Sequence, residues 1–253
     1  MTQDEKLLLA NSEPAWMYEF DLGDGVKTRL LSDELRSIHQ TREEMIMSLI
    51  DRLFPEGLRG NTCLDVACNE GYFSQLLYRR GGRVKGIDVR EVNIQRACAV
   101  REIMGYDPAR LVFQMEDFFN NQDPPGSYHI TFFLGILYHL ENPMGALRRL
   151  RSLTKMVSVI ETQLTRQKEP IISGWGQTSV TLELPASLAL HQQTDVESNR
   201  LAAINVLSFV PNAAAVKQML YSAGFSTVAQ ICARPWHNPQ YVNVDRGVFL
   251  AFP

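Results

Sequence analysis

Residues Leu64-Asp65-Val66-Ala67-Cys68-Asn69-Glu70-Gly71-Tyr72-Phe73-Ser74 carry the clearest chemistry in the chain. An apolar run meets the carboxylate of Asp65, passes through small residues and reaches Gly71, which opens a helix. A second apolar run, Val84-Lys85-Gly86-Ile87-Asp88, ends on another acid. A carboxylate at the tip of the second strand of such a unit can accept hydrogen bonds from both ribose hydroxyls. A thin loop feeding a helix N-terminus offers backbone N–H groups and a positive dipole end to an anionic group. The pairing reads as the grip on an adenosine-bearing cofactor. A dinucleotide would need G-x-G-x-x-G so that backbone can meet its pyrophosphate. Here Ala67, Asn69 and Tyr72 occupy the corresponding places, and only Gly71 is glycine.

The loop therefore fits S-adenosylmethionine better than NAD. Asp65 is expected to face the cofactor's amino-acid portion, and Asp88 its ribose. Ala67, Asn69 and Gly71 keep the loop thin, with Cys68, Tyr72 and Phe73 beside them. Val89 and Asn93 follow Asp88 into the next helix. Glu116-Asp117-Phe118 follows the third strand. Asp117 is expected to accept from the adenine amino group while Phe118 packs on the ring.

These residues need a scaffold that brings strand tips together. Alternating apolar runs predict strands over Thr62–Val66, Val84–Asp88, Leu111–Met115, Tyr128–Leu134 and Met156–Ile160. Between them lie helical stretches at Tyr72–Arg80, Glu91–Met104 and Pro143–Leu153. Strands spaced by helices imply parallel β-α-β units in a doubly wound α/β sheet. Phe225–Cys232 and Gly247–Phe252 read as the closing strands, after a helix that starts at Pro211-Asn212 and ends before Gly224. Trp16–Phe20 alternates like a short strand. A helix from Ser32 to Phe54 carries Leu35, Ile38, Met45, Leu49 and Leu53 on one face. Residues 1–57 are thus expected to form an N-terminal extension, a cap or a homodimer contact. Residues 58–253 form the main domain, with 163–204, rich in Gln, Ser and Thr, as a lid insertion over the sheet's carboxyl edge.

The chain has 253 residues, enough for one α/β domain and an insertion. Its formal net charge of -3 weighs against a nucleic-acid partner, which usually meets a basic face. Cys63, Cys68, Cys98 and Cys232 form no C-x-x-C pair, so no structural zinc site is expected. No run reaches the roughly 18 apolar residues that span a bilayer. The start lacks a basic region and an apolar core of signal length, so a cytoplasmic location is expected.

From about Asn61 onward the chain resembles the class I S-adenosylmethionine-dependent methyltransferases, whose D-x-G-x-G-x-G motif it matches with Ala67 and Asn69 in the first two glycine places. Phe133-Leu134-Gly135-Ile136-Leu137-Tyr138-His139-Leu140, with Asn142-Pro143-Met144, resembles the G-V-L-Y-H…P-L segment of the wobble-uridine tRNA methyltransferase-like group. Ile160-Glu161-Thr162 and Asn205-Val206-Leu207-Ser208-Phe209-Val210-Pro211 are similar to two further blocks of that group. The resemblance implies a Rossmann-like sheet of seven mostly parallel strands. It adds Leu134, Gly135 and Tyr138 to the cofactor-binding residues. Many relatives act on small molecules, and some founding members carry carboxy-S-adenosylmethionine. The tRNA-modifying members have a longer N-terminal region and basic surfaces, so a small-molecule acceptor is expected here.

A sulfonium methyl group is already activated, and positioning with desolvation supplies most of its transfer. A hydroxyl acceptor also needs a base. His139, after the fourth strand, and His191, in the lid, are the candidates. His237, beside Trp236, is a third histidine that could approach from the late loop. Tyr138, Glu161, Trp175 and Arg200 are candidate acceptor contacts. Glu161, His139 and His191 are metal-ligating types, but their spacing enforces no metal geometry and none is expected. The expected function is methyl transfer to a small-molecule hydroxyl oxygen in a biosynthetic pathway. A tRNA wobble-uridine methyl or carboxymethyl transferase and a non-catalytic cofactor-binding subunit are the alternatives.

Overall fold

A computed structural model of the protein describes residues 1–166, 171–175, 178–182, 186–192 and 207–253. Two helices come first, α1 (Gln3–Ala10) and α2 (Glu34–Leu53). An alternating unit follows: β1 (Thr62–Val66), α3 (Tyr72–Arg79), β2 (Arg83–Asp88), α4 (Glu91–Ile103), β3 (Leu111–Met115), β4 (Tyr128–Leu134), α5 (Pro143–Leu153) and β5 (Thr154–Gln163). Then come β6 (Ile171–Trp175), β7 (Thr178–Leu182), β8 (Leu188–Gln192), β9 (Leu207–Pro211), α6 (Ala213–Ser222), β10 (Thr227–Ile231), α7 (Pro239–Val242) and β11 (Arg246–Phe252).

Seven strands form one sheet in the order β10-β11-β5-β4-β1-β2-β3. β3, β2, β1, β4 and β5 are parallel, while β11 runs antiparallel between β5 and β10. The expected seven-stranded, mostly parallel α/β sheet is what forms. β1 lies between β4 and β2, so the chain reverses its winding there, and the crevice beyond the carboxyl ends of β1 and β4 is the natural ligand position. β6 and β7 pair with each other, as do β8 and β9, outside the main sheet.

Side chains alternate across each strand, and this decides what meets what. Cys63, Phe132, Val157, Val159 and Val248 join the core on the α3 and α4 side, whereas Leu64, Val66, Phe133, Ile160 and Phe249 join the core under α5 and α6. Asp65 and Glu161 continue the first set, so both carboxylates point to the face that the N-terminal region covers. Trp16, Tyr18, Phe20, Ile46 and Ile50 belong to the same buried cluster as Cys63, Phe73 and Val84. The N-terminal segment thus shares one apolar core with the sheet.

Trp16–Phe20 does not form the expected strand; only isolated bridges, Trp16 to Leu30 and Asp21 to Lys27, occur there. The reason lies in its amides. Met17 and Tyr18 donate to the Glu70 carboxylate and Phe20 donates to Thr28 Oγ1, so these N–H groups make no ladder. α1 is an addition to the expectation. Its Thr2-Gln3-Asp4-Glu5 start is a capping box, in which Thr2 Oγ1 accepts from the Glu5 N–H and the Glu5 carboxylate from that of Thr2. Among the described residues, no helix is long and apolar enough to cross a membrane.

Candidate functional site

β1 ends in a loop whose backbone alternates into the left-handed region. Ala67, Asn69 and Gly71 have φ of 56°, 53° and 79°. Asparagine tolerates this conformation better than most residues, and glycine adopts it freely. Gly71 also stands at the start of α3, so the loop turns directly into a helix N-terminus.

Asp88, at the tip of β2, is buried. Its Oδ2 accepts from the Asn69 N–H at 3.0 Å; its Oδ1 accepts from the Arg90 N–H at 2.9 Å and Asn93 Nδ2 at 3.1 Å. Burial raises its pKa despite these bonds. A carboxylate has about four acceptor positions. Donors among the described residues fill three, two on Oδ1 and one on Oδ2, so one position stands open on Oδ2. Val89, next to it, is exposed.

Asp65 lies deeper. It is 2% exposed and accepts from Ser74 Oγ at 2.6 Å, because both residues face the β1–α3 interface. Burial pushes its pKa up to about 7, with the Asp88 charge adding to the rise. Cys68 is buried and its thiol is pushed well above its usual range by burial and by the nearby acids. Phe73 packs edge-on against Phe132 in the core. Tyr72 is half-buried; its hydroxyl donates to Glu43 Oε2 at 2.5 Å, and its ring stacks on Tyr18 at 4.9 Å.

After β3, Glu116 is drawn away from the crevice, into an ion pair with Lys85 at 2.9 Å and a hydrogen bond from Asn121. Asp117 is exposed and caps a short helical turn by accepting from the Phe119 N–H. Phe118 is turned into the core against Phe133, and Phe119 is the exposed ring at this tip. The exposed aromatic surface at this tip therefore lies one residue beyond the expected Phe118.

At the tip of β4, Leu134 is buried, and Gly135 has φ 71°. A Cβ on Gly135 would have Glu161 Oε2, Arg42 Nη1 and Tyr138 Oη as its nearest neighbours, at 3.8–3.9 Å. Tyr138 packs on His139 at 4.1 Å, and the Arg246 guanidinium lies 5.7 Å from the Tyr138 ring centre.

Glu161 is not a free acceptor contact. It is fully buried and holds a hub. Its Oε1 accepts from Tyr241 Oη at 2.8 Å and Arg246 Nη1 at 3.0 Å, while Oε2 faces Arg42 Nη2 at 3.2 Å. Arg42 also donates to the hydroxyls of Tyr241 and Tyr18. The two guanidiniums and Tyr241 hold the Glu161 carboxyl below its ordinary range even though burial opposes this. Tyr18 stacks on His39 at 4.2 Å. Burial, with Arg42 and Arg246 beside it, keeps His39 neutral by lowering its pKa to about 3.

His237 lies elsewhere. It sits in a groove of about 290 Å³ between α2 and the segment before α7, where Nδ1 accepts from the Arg234 N–H and Nε2 faces Glu44 Oε1 at 3.3 Å. Trp175 falls in β6, and His191 falls in β8 opposite Ser208. Arg200, like much of the expected lid, lies outside the described residues. The strand tips thus bring Asp65, Asp88, Gly135, Tyr138 and Glu161 to one edge.

The partners Glu70, Arg96, Arg42 and Arg246 were not expected. A signal existed for two of them. Arg42 falls on the buried stripe of α2 with Ile38, Met45 and Ile46, and Arg96 on that of α4 with Asn93, Ala97 and Val100. A cation on such a stripe needs a buried partner.

Comparison with known proteins agrees with this geometry. The chain is 25% identical over 181 residues to a tRNA U34 carboxymethyltransferase of Haemophilus influenzae (strain PittEE), covering 70% of this chain and 50% of that protein. It therefore spans about half the length of the curated relatives it matches. The N-terminal domain of EvdMO1, solved in the presence of SAH and D-fucose, superposes with a TM-score of 0.70 at 19% identity, covering 100% of this chain and 97% of that one. An S-adenosylmethionine-dependent methyltransferase of Mesorhizobium loti gives a TM-score of 0.58 at 16% identity, covering 84% and 100%. The sequence profile described as "Methyltransferase domain" matches residues 38–230, well over half of the chain. The fold is that of a class I methyltransferase, and the protein belongs to the methyltransferase-domain family.

Proposed function

We propose that the protein transfers a methyl group from S-adenosylmethionine to a small-molecule acceptor, at a hydroxyl oxygen. The observation that carries this reading is the Asp88 carboxylate. It is buried at the tip of β2, pinned by the loop it borders, and left with one acceptor position on Oδ2. The surrounding residues fit the cofactor. Val89 offers exposed apolar surface beside Asp88, and the left-handed loop leads directly into the N-terminus of α3. When bound, the sulfonium supplies an activated methyl carbon.

The chain's own part is to hold, orient and exclude water. Asp88 would take the ribose, and the 67–71 loop the remainder. Tyr138 and Arg246 would border the acceptor, and His139 would take the hydroxyl proton. A small acceptor is favoured by the net charge of -3 and by the sugar present with the EvdMO1 domain. The first test is calorimetric titration with S-adenosylmethionine and S-adenosylhomocysteine. Saturable binding is expected, and Asp88→Ala is expected to remove most of it. Unchanged binding in that variant overturns the ribose contact.

The base role has its own measurement. With His139→Ala, kcat is expected to fall about a hundredfold or more, and the loss should grow as pH drops below the acceptor's pKa. A loss equal at every pH would assign His139 to packing.

A second reading is a tRNA wobble-uridine modifier, favoured by the names of the curated relatives. It requires tRNA binding that weakens steeply with salt. Salt-independent or undetectable tRNA binding leaves the small-molecule acceptor.

A further inference from the structure

Glu70 lies inside the loop after β1, between Asn69 and Gly71. Charged loop residues ordinarily face water. This one is fully buried and makes three bonds. Its Oε2 accepts from the N–H groups of Met17 at 2.9 Å and Tyr18 at 3.1 Å, and its Oε1 accepts from Arg96 Nη1 at 2.9 Å. Arg96, also buried, donates from its other nitrogen to Ser12 O and Oγ and to Pro14 O. Its guanidinium lies 4.4 Å from the ring centre of Trp16, a fully buried side chain. One buried ion pair thus ties five residues of the segment 12–18 to the loop after β1.

A second contact joins the same parts independently. Tyr18 stacks nearly parallel on Tyr72, the first residue of α3, with 9° between the rings. Within the loop the tie continues, because Asn69 donates its N–H to Asp88. A chain of direct contacts therefore runs from Trp16 and Tyr18 through Glu70 and Asn69 to the carboxylate at the β2 tip.

We propose that residues 12–18 form a clasp that sets the conformation of the cofactor loop, with Glu70 as the positioning residue through which cofactor affinity depends on the N-terminal segment. This rests on the reading of the loop as an S-adenosylmethionine site. Glu70 does not touch the cofactor. It fixes Asn69 and Gly71 in their left-handed conformations by anchoring the residue between them. Burial raises the pKa of its carboxyl, so this anchor is retained only because the two amides and Arg96 offset the loss of water. Coupling between two sites is reciprocal, so a bound cofactor must stabilise the clasp as much as the clasp stabilises the bound state.

Two measurements test the clasp. Glu70→Gln keeps an oxygen for the amides but removes the charge that holds Arg96. S-adenosylhomocysteine is expected to bind this variant about tenfold more weakly, with KM for S-adenosylmethionine raised in proportion and kcat within about twofold. In the wild-type protein, saturating S-adenosylhomocysteine is expected to slow hydrogen exchange at the Met17 and Tyr18 amides, even if the variant proves too unstable to study. A Glu70→Gln protein that melts earlier but binds with wild-type affinity, or wild-type amides whose exchange ignores the ligand, overturns the clasp. A wild-type protein that binds no S-adenosylhomocysteine at all overturns instead the reading of the loop as a cofactor site.

Discussion

Replacing Glu161 by alanine is expected to lower the stability of the folded chain by about 3–5 kcal/mol, read as a shift of the urea midpoint at pH 7. The carboxylate is fully buried between Arg42 and Arg246, and their side chains are 4% and 10% exposed. Removing it leaves two cations in a low-dielectric region whose remaining hydrogen-bond partners among the described residues are phenolic oxygens and Gln240. An exposed pair gives the contrast. Asp51 meets Arg80 at 2.6 Å, but its side chain is 56% exposed, so Asp51→Ala is expected to cost less than about 1 kcal/mol. If the two substitutions cost the same, Glu161 is not the centre of a buried hub.

Acid provides an independent check of the same residue. The folded pKa of Glu161 lies below its ordinary 4.5, so the carboxyl binds its proton less readily in the folded than in the unfolded chain. Its stabilisation is complete above about pH 4.5 and is lost as pH falls through the folded value. Asp65 has the opposite sign. Its pKa rises from 3.8 to about 7, so its contribution is complete below 3.8 and is lost as pH rises through about 7. The two windows do not coincide. Wild-type protein should lose stability below pH 4.5 more steeply than Glu161→Ala, and the two should run parallel between pH 5 and 7.

The parts of the site that could be read from sequence are those set by local rules. Asp65 and Asp88 stand at the ends of alternating apolar runs, and the loop between β1 and α3 announces itself through small residues and Gly71. The same rules placed β1, β3, β4 and α5 at their observed bounds. What escaped was long-range pairing. Arg42 bonds Tyr241, 199 residues away, and Glu70 bonds Met17 across 53 residues. No turn or period encodes such a partner; only the presence of a cation on an apolar stripe hints that one exists. The Trp16–Phe20 segment failed for the same reason. Its alternation is real, but the distant Glu70 takes the Met17 and Tyr18 amides and Thr28 Oγ1 takes that of Phe20. Phe118 shows a subtler limit. An aromatic after a strand tip can turn into the core or out to a ligand, and here Phe133 takes the first ring while Phe119 stays exposed.

Gly71→Ala is expected to destabilise the protein by about 2–5 kcal/mol, and two separable causes add up to that figure. The first is conformational. Gly71 has φ 79°, where an L-residue with a Cβ is strained by about 1–2 kcal/mol. The second is steric. A Cβ there would lie 2.5 Å from Phe113 Cζ and 3.0 Å from Ala97 Cβ. The Phe113 ring is what the glycines make room for, since a Cβ on Gly86 would also meet it, at 2.8 Å. Overpacking of this kind costs about 1–3 kcal/mol. In a Phe113→Leu background the clash with the ring should be relieved while the Ala97 contact and the conformational part remain, so Gly71→Ala should then cost less than in the wild type but still at least about 1–2 kcal/mol. An equal cost in both backgrounds would show that Phe113 does not set the limit, and a cost under about 0.5 kcal/mol in the wild type would show that the loop does not hold its left-handed turn. The substitution also strains the left-handed N-cap of α3, where the proposed cofactor loop ends. Weaker S-adenosylhomocysteine binding should therefore persist in the double variant, because relief of the clash restores packing but not the backbone conformation that aims the loop.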